Sequence, residues 1–377
     1  MIGIDQMDDE TLRDQLVAFT RDLVIIPSTA CRVDERKRCY ESVRNHIDSI
    51  EGIKIHEYCS EGYPSLVAMP AGCREPDVLL CAHLDVVALP DESDYHSKIV
   101  DGRIVGPGAG DMKGQLAILL ELFHYFHHRH PGVSLGLAVT SDEEIGGVHG
   151  IGYLTGDVGL RCGVAIIPDG GAMDEVTIEE KGILHLRVVA EGHAGHGARP
   201  WQARNALEAL IDGLSRVRQH FETFRDASHD HWYPTCSVNV VHVDNDTVNR
   251  IPPMAEAMVD IRFPPPHTMG SMLALVRDLI GKELRAKTIM GGQPTHLAPD
   301  QAYLDTVREL TGKQPEMIRE SGGSDARFLC LHGIPVIMAR PDVGDLHAED
   351  EWIDIDSMVM FYRVCERYLE KRLLKVN

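Results

Sequence analysis

The chain has 377 residues, enough for two domains, and its composition is that of a globular protein, with 44% hydrophobic and 25% charged residues. A net charge of −21 argues against a nucleic-acid partner, because such a partner requires a basic surface. No run approaches the roughly 18 consecutive apolar residues of a membrane-spanning helix, so we expect no membrane segment.

The first part of the chain alternates helices with short apolar strands. A helix begins at Asp8 or Asp9, either of which can cap it, and ends before Pro27. An apolar helical stripe follows Asp111. Three apolar runs have the length of buried strands: residues 78–82, 135–140 and 163–167. This alternation predicts an α/β sheet with both faces covered.

The pattern changes after Lys181. Strands and helices then follow in the order β-α-β-β-α, with a last strand near 288–290, which is the split βαβ arrangement. These elements are predicted at residues 183–190, 207–217, 235–243, 254–263 and 272–279, and a linker at 291–294 ends the unit. The chain then returns to α/β, with elements at 303–310 and 334–339 and a helix from Ile355. We therefore predict a catalytic domain of residues 1–181 and 295–377, with an α+β domain inserted at 182–294.

Four histidines lie near the end of the helix that follows Asp111: His124, His127, His128 and His130. Positive charge in the last turn of a helix is stabilised by the helix dipole. We interpret this cluster as a solvated helix end and assign it no binding role.

Five short motifs place a histidine or a carboxylate at or just past the end of an apolar, strand-like run. The carboxyl ends of strands are where an open α/β sheet gathers its catalytic groups. The motifs are His83-Leu84-Asp85, Asp111-Met112-Lys113-Gly114, Asp142-Glu143-Glu144-Ile145-Gly146-Gly147, Pro168-Asp169-Gly170 and His347-Ala348-Glu349-Asp350-Glu351.

Each motif taken alone also has a plain structural explanation. His83 and Asp85 face the same way on a strand, so Asp85 can orient a metal-binding imidazole, or the two can form a simple hydrogen bond. Asp111 follows a glycine-rich stretch and can bridge two cations or cap the next helix. The remaining motifs can likewise be an acidic turn, an Asp-Gly turn and a surface histidine.

Taken together, the motifs supply two histidines and three carboxylates from five strand ends. That set describes two sites of mixed nitrogen and oxygen ligands that share one carboxylate. Such ligands suit zinc, with cobalt or manganese as alternatives. The sequence therefore predicts a two-metal hydrolase.

With these motifs, the chain resembles the dinuclear zinc peptidase and amidohydrolase family over nearly its whole length. That family includes carboxypeptidase G, acetylornithine deacetylase, succinyl-diaminopimelate desuccinylase, aminoacylase and the carnosinase-type dipeptidases. The resemblance implies a zinc-peptidase-type catalytic domain with a mixed sheet flanked by helices, an inserted ferredoxin-like lid and dimerisation domain, and a homodimer formed through that lid. It also implies two Zn²⁺ per subunit and a cis peptide bond between Asp111 and Met112.

The resemblance also assigns roles residue by residue. His83 and Asp169 would hold one zinc, Glu144 and His347 the other, and Asp111 would bridge both, while Asp85 orients His83 and Glu143 is the general base. His196 lies in a segment similar to the lid motif that reaches a substrate oxygen. Residues similar to those that bind a substrate carboxylate are Asn249, Arg262 and the glycine loop Gly322, Gly323 and Ser324. An anionic substrate end in an acidic protein needs such local donors.

The implied reaction is amide hydrolysis by a water that bridges the two metals, with Glu143 taking its proton and passing it to the leaving amine. A zinc ion and His196 would stabilise the oxyanion. By resemblance, an aspartate at position 169 is more typical of the peptidases, whereas glutamate is more typical of deacetylases and desuccinylases. We therefore expect a short peptide or aminoacyl conjugate with a free carboxylate as substrate.

The first alternative is an N-acyl amino acid deacylase of the acetylornithine deacetylase or succinyl-diaminopimelate desuccinylase type. A non-catalytic dimeric binding protein is disfavoured because Glu143 and the whole ligand set are present. A two-metal phosphoesterase would not need an arginine and a glycine loop for a carboxylate.

The cellular compartment is predicted from cysteine usage and the N-terminus. Nine cysteines are scattered without a CxxC pair, which fits a reducing compartment. Residues 1–10 lack the basic and apolar regions of a secretory signal. We expect a cytoplasmic enzyme whose partners are small molecules or short peptides, and neither nucleic acid nor membrane.

Overall fold

The computed structural model describes residues 8–91, 95–227 and 231–374. Residues 1–7, which carry most of the expectation about a secretory signal, lie outside the described part. The chain divides into two compact units. The first runs through Ile178 and continues over Leu297–Ile318 and from Ser324 onward, and the second consists of Glu179–His296 and Arg319–Gly323.

The helices and strands of the described residues alternate along most of the chain. The helices are α1 (Asp9–Val24), α2 (Val33–Ile47), α3 (Gly114–Arg129), α4 (Ile151–Gly156), α5 (Ala206–Glu222), α6 (Met269–Ile280), α7 (Gln301–Thr311), α8 (Ala326–Cys330) and α9 (Ile355–Leu373). The strands are β1 (Ile53–Ser60), β2 (Tyr63–Pro70), β3 (Val78–His83), β4 (Lys98–Val100), β5 (Arg103–Val105), β6 (Leu135–Thr140), β7 (Val164–Ile166), β8 (Glu175–Glu180), β9 (Gly182–Glu191), β10 (Gly195–His196), β11 (Thr235–Val243), β12 (Arg250–Ile251), β13 (Met254–Phe263), β14 (Leu284–Gly292), β15 (Thr295–His296), β16 (Glu316–Glu320), β17 (Val336–Ile337), β18 (Val343–Gly344) and β19 (Trp352–Asp354).

The first unit is built on a six-stranded mixed sheet with the strand order β1-β2-β6-β3-β7-β17. β2 pairs antiparallel with both β1 and β6, whereas β6, β3, β7 and β17 pair parallel to one another. Parallel strands end at the same edge of a sheet, so the segments that follow β3, β6 and β7 emerge side by side. This arrangement confirms the predicted mixed α/β fold.

The sheet of the first unit is buried on both faces. Along β3, Val78, Leu80 and Ala82 belong to one apolar cluster, which also contains residues of α1, α2, α3, α7 and α9. The intervening Leu79 and Cys81 belong to a second cluster, with residues of α4 and α8. Because side chains alternate across a strand and both faces are covered, β3 reads as one continuous apolar run.

The second unit has its own sheet and core. Four antiparallel strands lie in the order β11-β13-β9-β14. With α5 and α6, the chain order β9-α5-β11-β13-α6-β14 is the ferredoxin-like βαββαβ pattern. Alternate residues of β9, such as Leu184, Leu186 and Val188, are buried in the apolar cluster beneath the helices.

Several sequence predictions are confirmed to the residue and others need correction. β6, β11, β13 and the start of α9 lie where they were predicted, and the side chain of Asp8 accepts the Thr11 N–H as the N-cap of α1. Gly291 and Gly292 belong to β14 and not to a linker, because both continue its pairing with β9. The strand predicted at 334–339 is reduced to the two residues of β17. In the described residues, no helix is long and apolar enough to cross a membrane.

The interpretation of the histidine cluster as a solvated helix end is wrong for His127. Its side chain is only 3% exposed, and its Nε2 lies 3.0 Å from the carbonyl oxygen of Leu135. Burial lowers the pKa of His127 to about 4, which keeps the ring neutral inside the core. His128, by contrast, is exposed as expected.

Candidate metal centre

Two groups of potential metal ligands form at the carboxyl edge of the sheet in the first unit. His83, Glu143 and Asp169 make up one group, and Asp111, Glu144 and His347 the other. Within each group, one donor atom from every residue lies within 4.8 Å of the others. The structure therefore brings together the five residues predicted as ligands and the residue predicted as general base.

Asp111 lies between the two histidines. Its Oδ1 is 3.2 Å from Nε2 of His83, and its Oδ2 is 3.1 Å from Nε2 of His347. Oε2 of Glu144 lies 3.6 Å from the same nitrogen of His347. Each oxygen of one carboxylate thus faces a different histidine, which is the arrangement that a bridging ligand requires.

The glycine-rich segment before Asp111 allows a close approach of the backbone to a neighbouring segment. A Cβ added at Gly110 would lie 2.9 Å from the carbonyl oxygen of Trp352, closer than packed atoms allow. The peptide bond between Asp111 and Met112 is cis, as the family resemblance implies. The residue at the N-cap of α3 is Lys113, so the alternative that Asp111 caps this helix is wrong.

Asp85 contacts both His83 and the acidic loop that carries Glu143 and Glu144. Nδ1 of His83 lies 3.1 Å from the backbone carbonyl oxygen of Asp85 and 3.6 Å from its carboxylate. The carboxylate also accepts the backbone N–H groups of Glu143, at 3.3 Å, and Glu144, at 3.0 Å. Asp85 therefore contacts the imidazole through both its main chain and its carboxylate, and the same carboxylate holds the acidic loop.

The two groups of potential ligands contain more carboxylates than histidines, so the site carries an excess of negative charge. Burial, followed by the charge of Asp169, raises the pKa of Glu143 well above its usual range. Burial and the charge of Asp111 raise the pKa of Glu144 to about 8. Burial alone would also raise the pKa of Asp111, but hydrogen bonds with His347 and His83 hold it well below its usual range. Such a site is stabilised by added positive charge.

The donor set fits a metal ion for a further reason. The side chain of Glu144 is 8% exposed, and its Oε1 is buried without a hydrogen-bond partner among the described residues. A buried carboxylate oxygen without a partner is costly unless something compensates its charge. Imidazole nitrogens and carboxylate oxygens in one cluster are the ligands that zinc, cobalt and manganese accept.

Glu351 is a functional candidate that the sequence reasoning did not single out, although it ends the His347 motif. Its side chain is 1% exposed. Oε1 accepts the backbone N–H groups of Gly110, at 2.7 Å, and Asp111, at 2.8 Å, while Oε2 accepts that of His347, at 3.2 Å. Burial, followed by the charge of Asp111, raises the pKa of Glu351 to about 7.

A second buried acidic cluster supports the loop after Glu144. Asp142 accepts the backbone N–H of His149 at 2.7 Å, and Nη2 of Arg327 donates to the carbonyl oxygen of Gly146. Burial raises the pKa of Asp142 to about 6. Burial and the charge of Asp142 together raise the pKa of Asp325 well above its usual range. No spacing in the sequence indicated these contacts.

The lid residues predicted to bind substrate lie in the second unit. β10 pairs antiparallel with β12, so that His196 is opposite Arg250, and the N–H of Gly197 donates to the carbonyl oxygen of Asn249 at 2.8 Å. The pairing thus brings the segments of His196 and Asn249 together. The side chain of His196 is exposed, and its Nδ1 accepts the backbone N–H of Ala198 at 3.1 Å.

Arg262 lies on β13 and faces a carboxylate of its own strand. Its Nε and Nη2 donate to the two oxygens of Asp260, at 2.8 and 3.2 Å. Burial opposes ionisation of Asp260, but hydrogen bonds from His185 and Arg262 lower its pKa to about 2. Asp260 is therefore ionised, and its two oxygens fix the guanidinium by a two-point contact.

The glycine loop is divided between the two units. Gly322 and Gly323 belong to the second unit and Ser324 to the first. A Cβ added at Gly322 would meet nothing within 4 Å. Ser324 is 3% exposed, and its hydroxyl oxygen accepts the backbone N–H of Ala326 at 3.1 Å, at the start of α8.

The mixed sheet and the two groups of potential metal ligands are the features expected of a metal-dependent hydrolase of the α/β class. Residues 79–371 match Peptidase family M20/M25/M40, and the chain belongs to this family. It is therefore a metallohydrolase that acts on amide bonds.

The chain is similar over most of its length to curated members and solved structures. It is 27% identical over 380 aligned positions to the succinyl-diaminopimelate desuccinylase of Rhodospirillum centenum, covering 94% of this chain and 96% of the relative. The same enzyme of Bordetella pertussis is 28% identical, with 94% and 97% covered. An M20 family metallo-carboxypeptidase from Sulfolobus solfataricus has a TM-score of 0.77 at 17% identity, covering 97% of this chain and 100% of that one. Human carnosine dipeptidase 1 has a TM-score of 0.72 at 15% identity, with 97% and 98% covered. The two structures show a shared fold.

Proposed function

We propose that the chain is a two-metal amidohydrolase that cleaves an amide bond in a small substrate with a free carboxylate. The observation that carries the proposal is the carboxylate of Asp111, whose two oxygens face His83 and His347 at 3.2 and 3.1 Å. In this proposal, His83 and Asp169 hold one zinc, Glu144 and His347 hold the second, and Asp111 bridges them. Cobalt and manganese are alternatives, since the same donor types serve all three metals.

Glu143 is proposed as the general base. When bound, the metal ions supply Lewis acidity that polarises the scissile carbonyl group and lowers the pKa of the attacking water. The carboxylate of Glu143 accepts the proton of that water and transfers it to the leaving nitrogen. Two observations support the role. Glu143 lies in the group of His83 and Asp169, whose donor atoms are within 4.8 Å of one another, and its backbone N–H is held by Asp85.

Arg262 is proposed to bind the free carboxylate of the substrate. A guanidinium has five N–H donors, and Asp260 engages the Nε and Nη2 groups of Arg262. The fixed guanidinium can thus present other donors to a second carboxylate. Asn249 and the backbone N–H groups of Gly322, Gly323 and Ser324 are proposed to assist, and His196 to stabilise the oxyanion.

Two substrate classes remain in competition. Asp169 favours a short peptide or an aminoacyl conjugate, because an aspartate at this position is more typical of peptidases. The similarity to succinyl-diaminopimelate desuccinylases over 94% of the chain favours an N-acyl amino acid as the second candidate. Both classes contain an amide next to a free carboxylate, so both use the same proposed residues.

The oligomeric state and the cellular compartment are the last part of the proposal. We propose a homodimer formed through the second unit, and a cytoplasmic location. β11 lies at the edge of its sheet and carries the exposed side chains of Val240, at 39%, and Val241, at 51%. An exposed edge strand is a template for pairing with another chain. Light scattering on the purified protein measures the oligomeric state, and a monomer would contradict this proposal.

A paired assay on zinc-loaded protein tests the reaction and separates the substrates. One arm contains dipeptides and longer peptides with free C-termini, and the other contains N-acetyl, N-succinyl and N-formyl amino acids. Released amine is measured in both arms, with a chelator-treated sample and the Glu143→Gln variant as blanks. Chelator-sensitive cleavage of peptides alone supports the peptidase, cleavage of acyl amino acids alone supports the deacylase, and no cleavage in either arm contradicts the proposed substrate class.

A further inference from the structure

We propose that Glu351 is a positioning residue whose carboxylate holds in register the two loops that carry Asp111 and His347. The inference rests on the proposed function, because it takes these two residues as metal ligands. Glu351 itself is not proposed to touch metal or substrate. It would act through the backbone of the residues that do.

The hydrogen bonds of Glu351 join segments that are far apart in the sequence. Oε1 accepts the N–H groups of Gly110 and Asp111, at 2.7 and 2.8 Å, and Oε2 accepts that of His347, at 3.2 Å. The side chain is 1% exposed, so water does not compete for these bonds. A carboxylate binds backbone N–H groups more strongly than a neutral acceptor does. Each oxygen therefore fixes the main chain of one proposed ligand.

The conformation of His347 indicates why such an acceptor is needed. Its φ is 65°, in the left-handed region that residues with a side chain rarely adopt. A backbone in this region persists only where its surroundings hold it. The hydrogen bond from the His347 N–H to Glu351 is a contact that can do so. Without it, the imidazole would lose its fixed direction toward Asp111.

Close packing around Gly110 brings the two loops together independently of the carboxylate. A Cβ at Gly110 would lie 2.9 Å from both the carbonyl oxygen of Trp352 and Cβ of Val343. The backbone N–H of Gly106 also donates to the carbonyl oxygen of Glu351 at 2.7 Å. β5 and β19, which pair antiparallel, lead directly into these two contacts. The loops are therefore already neighbours, and the carboxylate sets their fine alignment.

A glutamine at position 351 tests the inference with almost no change of shape. It keeps one oxygen but replaces the other with an amide NH₂, which cannot accept a hydrogen bond. Depending on the orientation of the amide, its NH₂ group then faces either the N–H of His347 or the N–H groups of Gly110 and Asp111, and the hydrogen bonds on that side are lost. Loss of a group that orients metal ligands typically lowers metal affinity about 10- to 100-fold.

The experiment measures zinc affinity of the metal-free protein by competition with a chromophoric chelator. Glu351→Gln is compared with wild type and with Glu349→Gln, a control that removes one exposed negative charge from the same loop. We expect at least a tenfold loss for Glu351→Gln and an unchanged affinity for the control. In a His347→Ala background, Glu351→Gln should lower zinc affinity by a smaller factor, because one of the two ligands that Glu351 is proposed to position is gone.

The outcomes separate this inference from the proposed function. If wild-type protein binds no zinc, the proposed function fails. Two results with zinc-binding wild type would overturn the positioning role. One is a less than tenfold loss of zinc affinity in Glu351→Gln. The other is the same loss of affinity in the wild-type and His347→Ala backgrounds. Should the variant fail to fold by circular dichroism, hydrogen exchange of metal-free wild type decides. Protection of the peptides containing Gly110, Asp111 and His347 supports the role, and rapid exchange there overturns it.

Discussion

Replacing Glu143 with glutamine should abolish most of the activity and leave the metals bound. The variant keeps the shape of the side chain but removes the acceptor for the proton of the attacking water. A positioned general base contributes about 10²- to 10⁴-fold, which corresponds to about 3–5 kcal/mol of transition-state stabilisation. Because Asp85 holds the backbone N–H groups of Glu143 and Glu144, the proposed ligand Glu144 should stay in place. The loss should therefore appear in kcat, with KM nearly unchanged.

The measurement combines steady-state kinetics with metal content by mass spectrometry. Glu349→Gln serves as the matched control, since Glu349 is exposed and its replacement also removes one negative charge. More than a tenth of the wild-type kcat in Glu143→Gln would refute the role of general base. A loss of metal together with activity would show instead that Glu143 is a ligand in the cluster of His83 and Asp169.

Three further predictions concern the proposed bridging carboxylate of Asp111, the packing beside it and a buried histidine. Asp111→Asn should reduce bound zinc to one ion or none, because a neutral amide replaces the carboxylate that faces both histidines; two ions in a metal-content measurement would contradict the bridge. Gly110→Ala should destabilise the fold by about 1–3 kcal/mol, since its Cβ would lie 2.9 Å from Trp352 and Val343, and an unchanged melting temperature would contradict this packing. Burial lowers the pKa of His127 from the ordinary histidine value of about 6.5 to about 4. The neutral ring therefore contributes stability above pH 6.5 that is lost as the pH falls toward 4, up to about 3 kcal/mol. The difference in unfolding free energy between wild type and His127→Gln should therefore shrink over that range, and a constant difference would contradict the prediction.

The elements that could be predicted from the sequence are those buried on both faces or strongly periodic. β6 and β13 match their predicted bounds because uninterrupted apolar runs and regular alternation leave little choice of structure. β3, β6 and β7 are parallel and therefore end at the same edge of the sheet. This shared edge brings His83, Glu143 and Asp169 together. The side chains of the candidate site were therefore largely accessible to sequence reasoning.

Some of the elements that were missed have weak or mixed patterns. β1 alternates only loosely between partly buried and exposed residues, since it lies at the sheet edge, and neither it nor β2 was predicted. The apolar run before Arg340 continues past β17, but only two of its residues pair with β7. His127 was misread because polarity alone does not reveal a ring that hydrogen-bonds a carbonyl oxygen in the core.

What the sequence could not reveal about the site is its main-chain scaffold. Asp85 accepts the backbone N–H groups of Glu143 and Glu144. Glu351 accepts those of Gly110, Asp111 and His347. Every residue except proline has an N–H, so no motif marks which ones a buried carboxylate will bind. Each of these two acids thus fixes side chains it does not touch. Substitutions at either position should consequently weaken metal binding although no proposed ligand is changed, so that residues outside the proposed ligand set contribute to metal affinity.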